Sequence, residues 1–159
     1  MFPVIAARAG IDPAKVQWTG MAPNLQEQML LKDHVDGSAV FSVTSYMNLV
    51  AQGVDPDRDI RWFHYADHGV DLYGNGVMVS RALLRDRPEA VAGLVRAIHR
   101  AVLDTIADPD AAIAALAKRE PLLDAALEKR RLLYTLRTVM LTPAVAQAGI
   151  GDVDDARMG

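Results

Sequence analysis

The spacing of apolar and polar residues differs between two parts of the chain, and the change occurs near Ser80. Before Ser80, short apolar runs with the spacing of helices alternate with runs that have the spacing of strands. After Ser80, every apolar run has the spacing of an amphipathic helix. The sequence therefore predicts alternating helices and strands first, and helices alone afterwards.

Four short segments are rich in the β-branched and aromatic residues typical of strands. They are residues 16–19, 38–41, 59–64 and 77–80. Helices are predicted between them over 2–9, 24–32 and 46–52. Gly10 and Gly53 follow two of these helices, where a glycine commonly ends a helix. Helices that alternate with strands indicate an α/β fold with a sheet between layers of helices.

The second half carries clear signals for the starts of helices. Ser80 is placed to cap a short helix, Pro88 begins a long one, and Asp108 and Thr142 precede prolines that begin two more. Another helix is predicted over 122–140. The long helix carries an amphipathic apolar stripe, Val91, Leu94, Val95, Ile98, Val102 and Ile106.

Four strands make a small sheet for this number of helices, because a sheet normally buries helices on both faces. We therefore expect that elements of the fold precede residue 1. We also expect apolar helix faces to stay uncovered, which predicts a homo-oligomer through those faces.

The amino-acid composition excludes several classes of site and partner. The 159 residues are 51% hydrophobic and 23% charged, as in an ordinary globular protein, and the net charge of -3 argues against a nucleic-acid partner. The absence of cysteine excludes disulfides, thiolate zinc sites and cysteine nucleophiles. No apolar run approaches the roughly 18 residues that would span a bilayer.

The glycine-rich loop over 65–76 is the first candidate for a ligand site. Asp67, Asp71, Tyr73 and Asn75 offer hydrogen-bond acceptors, donors and a ring for stacking. A small polar or heteroaromatic ligand needs that mixture. The alternative is a turn whose aspartates only cap neighbouring amides.

The second candidate is the segment 41–46, which follows a predicted strand and begins a helix. Ser42, Thr44 and Ser45 would place hydroxyls beside helix-start amides that can hold an anionic group. Ligands of open α/β sheets bind at the carboxyl ends of strands. The alternative is an ordinary helix cap by Ser42 or Thr44.

Metal, cofactor and catalytic sites have little support. His64, Asp67, His68 and Asp71 could form a metal cluster, but neutral loop residues are the better interpretation, because no helix is expected there. Gly-x-Ser-x-Gly and a phosphate loop are absent, and 74–76 is too short for a dinucleotide fingerprint. We therefore predict no metal, no cofactor and no enzymatic turnover.

Three stretches in order, residues 2–18, 29–41 and 65–80, resemble the NMT1/THI5-like solute-binding proteins for sulfonates, nitrate and thiamine-pyrimidine precursors. The resemblance extends to 88–91, 107–111 and 149–153. It covers nearly the whole chain, but only the C-terminal half of a typical member. It implies a three-layer αβα fold of the type II periplasmic-binding kind, here without the N-terminal part of the first lobe.

Carried over to this chain, residues 1–60 are part of the second, ligand-binding lobe, 61–76 the hinge and cleft loop, and 77–159 the rest of the first lobe. The implied function is capture of a small solute between two lobes for an ABC-transporter permease in the periplasm, with a signal peptide upstream. A pyrimidine-like heteroaromatic is the leading ligand, and sulfonates and nitrate stay open. The alternative is an enzyme or ligand sensor on the same fold, although the thiamine-pyrimidine enzymes resemble it with a cysteine-rich iron-binding stretch that this chain lacks.

Overall fold

The computed structural model describes residues 2–70 and 73–153, which form two compact units divided between positions 72 and 73. In the first unit lie α1 (Phe2–Arg8), α2 (Gln26–Leu31), α3 (Ser42–Ala51) and α4 (Pro56–Asp59). Short 3-10 turns cover Pro13–Lys15, Pro23–Leu25 and Ala66–His68. In the second unit lie α5 (Arg81–Asp86), α6 (Pro88–Ala107), α7 (Pro109–Arg119), α8 (Ala125–Thr135) and α9 (Pro143–Ala148). One π-helical turn, Leu136–Met140, continues α8.

The predicted α/β fold and its three layers are wrong, because every regular element in the described ranges is helical and none of the residues there forms a strand. The backbone is nevertheless extended at residues of the four predicted strands. The φ and ψ angles are -98° and 120° at Val16, -82° and 112° at Phe41, -122° and 134° at Ile60, and -68° and 148° at Ser80.

What these four segments lack is pairing. Within 2–70 and 73–153 no backbone hydrogen bond joins one of them to another. An extended conformation is a local preference, whereas a sheet also needs neighbouring strands in register. The four strands are therefore wrong as elements, although Val16, Phe41, Ile60 and Ser80 have the extended backbone expected of a strand.

The first unit packs around α3. Met47 and Leu49 of this helix are almost completely buried, together with Ala6, Pro56 and Val70. The helix was predicted from residue 46 but begins at Ser42. It ends where expected, because Gly53 takes a φ of +79° and the Val54 amide then reaches the Leu49 carbonyl at 3.0 Å.

The same ending closes α1. Gly10 has a φ of +66°, and the Ile11 amide donates to the Ala6 carbonyl at 2.8 Å. A left-handed residue at this position favours glycine, since a side chain would be strained there. The prediction that Gly10 ends the first helix is confirmed.

Side-chain caps begin most of the helices in the second unit. Ser80 Oγ accepts from the Leu83 amide at 3.1 Å, Asp108 Oδ1 from the Ala111 amide at 2.9 Å, and Thr142 Oγ1 from the Val145 amide at 3.4 Å. The predicted caps at Ser80, Asp108 and Thr142 are therefore confirmed. Asp124 adds a cap at α8 that was not predicted.

Few side chains of the second unit are buried. Ile113 and Leu136 are the buried hydrophobic residues among those described there. On α6, four large apolar residues are exposed: Leu94, Val95, Ile98 and Leu103. None of the described helices is both long enough and apolar enough to cross a membrane.

The boundary between the two units, after residue 72, falls inside the segment 61–76 that was predicted as the hinge loop. The assignment of 1–60 and 77–159 to two lobes of a solute-binding protein remains a prediction.

Candidate functional site

The start of α3 brings together three of the predicted site residues. Phe41 is the cap residue, its backbone is extended, and its side chain makes no hydrogen bond to the helix. Its carbonyl accepts from the amides of Thr44 and Ser45, each at 3.0 Å. The alternative prediction, a cap by Ser42 or Thr44, is therefore wrong.

Two amides remain available at this helix start. The backbone N–H groups of Ser42 and Val43 donate no hydrogen bond to any other described residue. The first amides of a helix carry its partial positive charge and favour anions. The helix has ten residues, long enough for its aligned peptide dipoles to produce this partial charge.

The side chains around these amides suit a small ligand with a ring. The Phe41 ring is 79% exposed, Thr44 is exposed and Ser42 is half-buried. Ser45 is only 4% exposed, and its hydroxyl has no hydrogen-bond partner among the described residues. A buried hydroxyl normally finds a partner, so Ser45 is an unsatisfied polar group one helical turn from the free amides.

The other predicted site residues lie on the loop after position 64. Asp67 is exposed on the 3-10 turn Ala66–His68, which Gly69 ends with a φ of +74°. The Arg8 guanidinium donates to the Gly69 carbonyl and ties this turn to α1. Asp71 lies outside the described residues. Tyr73 and Asn75 are exposed and belong to the second unit. Their roles remain predictions.

Tyr46, Trp62 and His64 form an aromatic stack beside α3 that was not predicted from the sequence. The Trp62 ring lies parallel to His64, with centroids 6.2 Å apart and 6° between the planes, and stacks on Tyr46 at 6.1 Å. Trp62 and His64 are two residues apart, so an extended backbone places them on one side. That spacing was the signal that could have identified the pair formed by Trp62 and His64.

Two hydrogen bonds fix this stack to the rest of the unit. The Tyr46 hydroxyl donates to Asp57 Oδ2 at 2.6 Å, and Trp62 Nε1 donates to the Pro56 carbonyl at 3.0 Å. Both partners belong to α4, a helix that was not predicted and that overlaps the predicted strand 59–64 only at Asp59. The stack therefore holds the extended segment after residue 60 against α3.

Glu27 is a second feature that sequence reasoning missed. Its side chain is buried, and Asn48 Nδ2 donates to Glu27 Oε1 at 3.3 Å, which links α2 to α3. A glutamate flanked by polar residues on a short helix gives no sign that it will be buried. Apolar neighbours of this helix, Leu25 and Leu31, are more exposed than Glu27.

The two histidines of the suspected metal cluster lie against aromatic rings. His64 stacks on Trp62, and the His68 ring is 6.1 Å from that of Phe63. Among the residues that the structure describes, no three His, Asp or Glu side chains are grouped to hold a metal ion.

The chain belongs to the NMT1/THI5-like family, whose family model matches residues 1–112. The match includes α1 to α6, the α3 start and the loop with Asp67, Tyr73 and Asn75. No curated protein and no solved structure matches the chain. Membership of this family indicates a role in solute binding or one related to thiamine pyrimidines, and it indicates that the protein binds a ligand.

Proposed function

We propose that the protein is the solute-binding component of an ABC importer and that it binds a small organic nutrient at the start of α3. The observation that carries this proposal is the pair of available amides at Ser42 and Val43 beside the exposed Phe41 ring. The family provides the context, because solute binding is one of its roles. The permease partner and a periplasmic location are parts of this proposal.

The chemistry of the α3 start favours a ligand with two features. A ring of the ligand stacks on Phe41, and an electron-rich or anionic group accepts hydrogen bonds from the amides of Ser42 and Val43 and from the hydroxyls of Ser42 and Thr44. A pyrimidine-type heteroaromatic combines both features, because its ring carries acceptor nitrogens. Sulfonates and nitrate use the amides and hydroxyls alone.

In this proposal the ligand is bound and released without reaction. Solute binding needs affinity and orientation, which amides, hydroxyls and an aromatic face provide. A turnover assay with the ligands that bind is the corresponding test. Multiple turnovers that disappear in Asp67→Asn or His68→Gln would contradict the transport function and favour an enzyme.

Titration calorimetry with an aminopyrimidine, taurine and nitrate tests the site. We expect Phe41→Ala to weaken the aminopyrimidine about tenfold, because the change removes stacking worth about 0.5–1.5 kcal/mol and also the surface that the ring buries, and 1.4 kcal/mol is a factor of ten. Phe63→Ala is the matched control, since Phe63 is also an exposed phenylalanine of the same unit and lies outside its helices. It should bind as the parent protein does.

A second pair of variants separates the two candidate sites. Tyr73→Ala should leave binding unchanged if the ligand sits at the α3 start, and should weaken it if the ligand sits on the glycine-rich loop. Loss of binding in Tyr73→Ala with full binding in Phe41→Ala would overturn the proposed site. If none of the three probes binds, the ligand classes are wrong.

A further inference from the structure

The second unit contains an open cavity of about 290 Å³ beside α6, α7 and α8. Its lining residues are Thr105, Ala112, Ile113, Leu116, Glu128, Arg131, Leu132 and Thr135. Apart from Thr105 and Ala112, all of them follow the part of the chain that matches the family model. The cavity is close to the lower end of the volumes of small-molecule sites, about 300 Å³.

The cavity wall is mostly apolar. Ile113, Leu116 and Leu132 supply aliphatic side chains from α7 and α8. The two threonine hydroxyls are engaged within their own helices, because Thr105 donates to the Ala101 carbonyl at 2.7 Å and Thr135 to the Arg131 carbonyl at 2.8 Å. An aliphatic group is therefore the natural occupant of most of this volume.

One ion pair interrupts the apolar wall. Arg131 Nε donates to both carboxylate oxygens of Glu128, at 3.1 and 3.3 Å, and the two side chains are 25% and 27% exposed. The two terminal nitrogens of Arg131 have no partner among the described residues. The cavity thus offers free guanidinium donors and a carboxylate side by side.

We propose that this cavity binds a small aliphatic molecule with a zwitterionic head, the chemical class of the aliphatic α-amino acids. The carboxylate of the ligand pairs with the terminal nitrogens of Arg131, and its ammonium group pairs with Glu128. A simple carboxylate would be repelled by Glu128, and a simple amine by Arg131. A head with both charges complements both groups at once.

Titration calorimetry with L-leucine, isocaproate and isopentylamine tests the head group. Isocaproate is leucine without the ammonium group, and isopentylamine is leucine without the carboxylate, so the three probes share the aliphatic body and differ in the charges that they carry. We expect L-leucine to bind and the other two to bind at least tenfold more weakly. Isocaproate or isopentylamine binding as tightly as L-leucine would overturn the proposal, and so would the absence of L-leucine binding into the millimolar range.

Two variants place the site. Arg131→Gln should weaken L-leucine at least tenfold, while Arg130→Gln, which changes the exposed neighbour on the same helix, should bind as the parent does. Ala112→Leu should fill the cavity and abolish binding without lowering the melting temperature. The Ala112→Leu variant tests the site even if Arg131→Gln does not fold. Full L-leucine binding in Ala112→Leu would show that the cavity is not the site.

The test is independent of the function proposed for α3. Phe41→Ala should leave L-leucine binding intact, because Phe41 belongs to the other unit. Loss of L-leucine binding in Phe41→Ala together with full binding in Arg131→Gln would assign L-leucine to the α3 start and overturn the cavity site alone.

Discussion

The two units hold their helices by contacts of different range. In the first unit, side-chain hydrogen bonds connect residues 61, 21 and 11 positions apart, namely Arg8 to Gly69, Asn48 to Glu27 and Tyr46 to Asp57. In the second unit, the side-chain hydrogen bonds among described residues join positions no more than four apart. A long-range polar contact between described residues of this unit is the ion pair of Lys129 and Asp110, with Nζ and Oδ1 2.6 Å apart.

Burial follows the same division. Met47 and Leu49 in the first unit are 1% exposed, whereas α6, with 20 residues, has no buried residue at all. Helices pack against one another in both units, since α6 contacts α7 and α7 contacts α8, but fully buried side chains are concentrated around α3 in the first unit. We therefore expect core substitutions to lower the free energy of unfolding most in the first unit. In the second unit, substitutions of helix caps should be among those that lower it most.

The largest effect is expected at the centre of the first unit. Leu49→Ala should lower the free energy of unfolding by about 2–5 kcal/mol, because it removes buried methyl groups and leaves a cavity. Leu94→Ala on α6 is the matched change, since Leu94 is 45% exposed. It should stay within about 0.5 kcal/mol of the parent protein.

Urea denaturation of both variants, followed by circular dichroism and tryptophan fluorescence, measures the difference. Both tryptophans, Trp18 and Trp62, belong to the first unit and report on it selectively. A cost for Leu94→Ala as large as that for Leu49→Ala would mean that the α6 stripe is covered in solution, for instance in a homo-oligomer.

The sequence separation of contacting residues also explains which features of the fold the sequence could predict. Helix ends at Gly10 and Gly53 and caps at Ser80, Asp108 and Thr142 depend on residues a few positions apart, and these predictions are confirmed. The strands failed because pairing is decided by segments distant in the chain. Their residues do favour an extended backbone, as Phe41 and Ile60 show.

The sequence could predict those features of the candidate site that depend on neighbouring residues in the chain. Ser42, Thr44 and Ser45 were identified correctly as residues of a helix start. Phe41, and not a hydroxyl residue, is the cap residue because α3 begins at Ser42, four residues before the predicted start. The Tyr46–Trp62 contact and the burial of Glu27 join separate elements, so no short sequence pattern reveals them.

A smaller effect is expected at the caps of the second unit. Asp124 Oδ1 accepts from the amides of both Ala126 and Leu127 at 3.0 Å, so Asp124→Ala should cost about 0.5–2 kcal/mol of stability. Thr142→Ala should cost less, because the Thr142 bond is single and longer, at 3.4 Å. Thermal unfolding followed by circular dichroism at 222 nm measures both. Equal melting temperatures for the two variants would contradict this ranking.

The smallest effect concerns a local contact in the first unit, the exposed pair Arg58–Asp59 on α4, with Nε and Oδ1 2.7 Å apart. The hydrogen bond from Arg58 lowers the pKa of Asp59 below its ordinary value, and partial desolvation opposes this shift. A carboxylate with a lowered folded-state pKa stabilises the fold at pH values above its unfolded pKa of about 3.9. That contribution is lost as the pH falls through the lowered pKa.

Because both groups are exposed, salt should weaken this contribution further. A carbon-detected NMR titration of the Asp59 carboxyl should therefore give a depressed pKa in the parent protein and one closer to the ordinary value in Arg58→Gln. Arg61→Gln is the control and should leave the titration of Asp59 unchanged, because the Arg61 guanidinium lies over the Phe63 ring instead. If Asp59 titrates normally in the parent protein, the pair does not form in solution, and the contacts that hold the first unit together are its long-range ones.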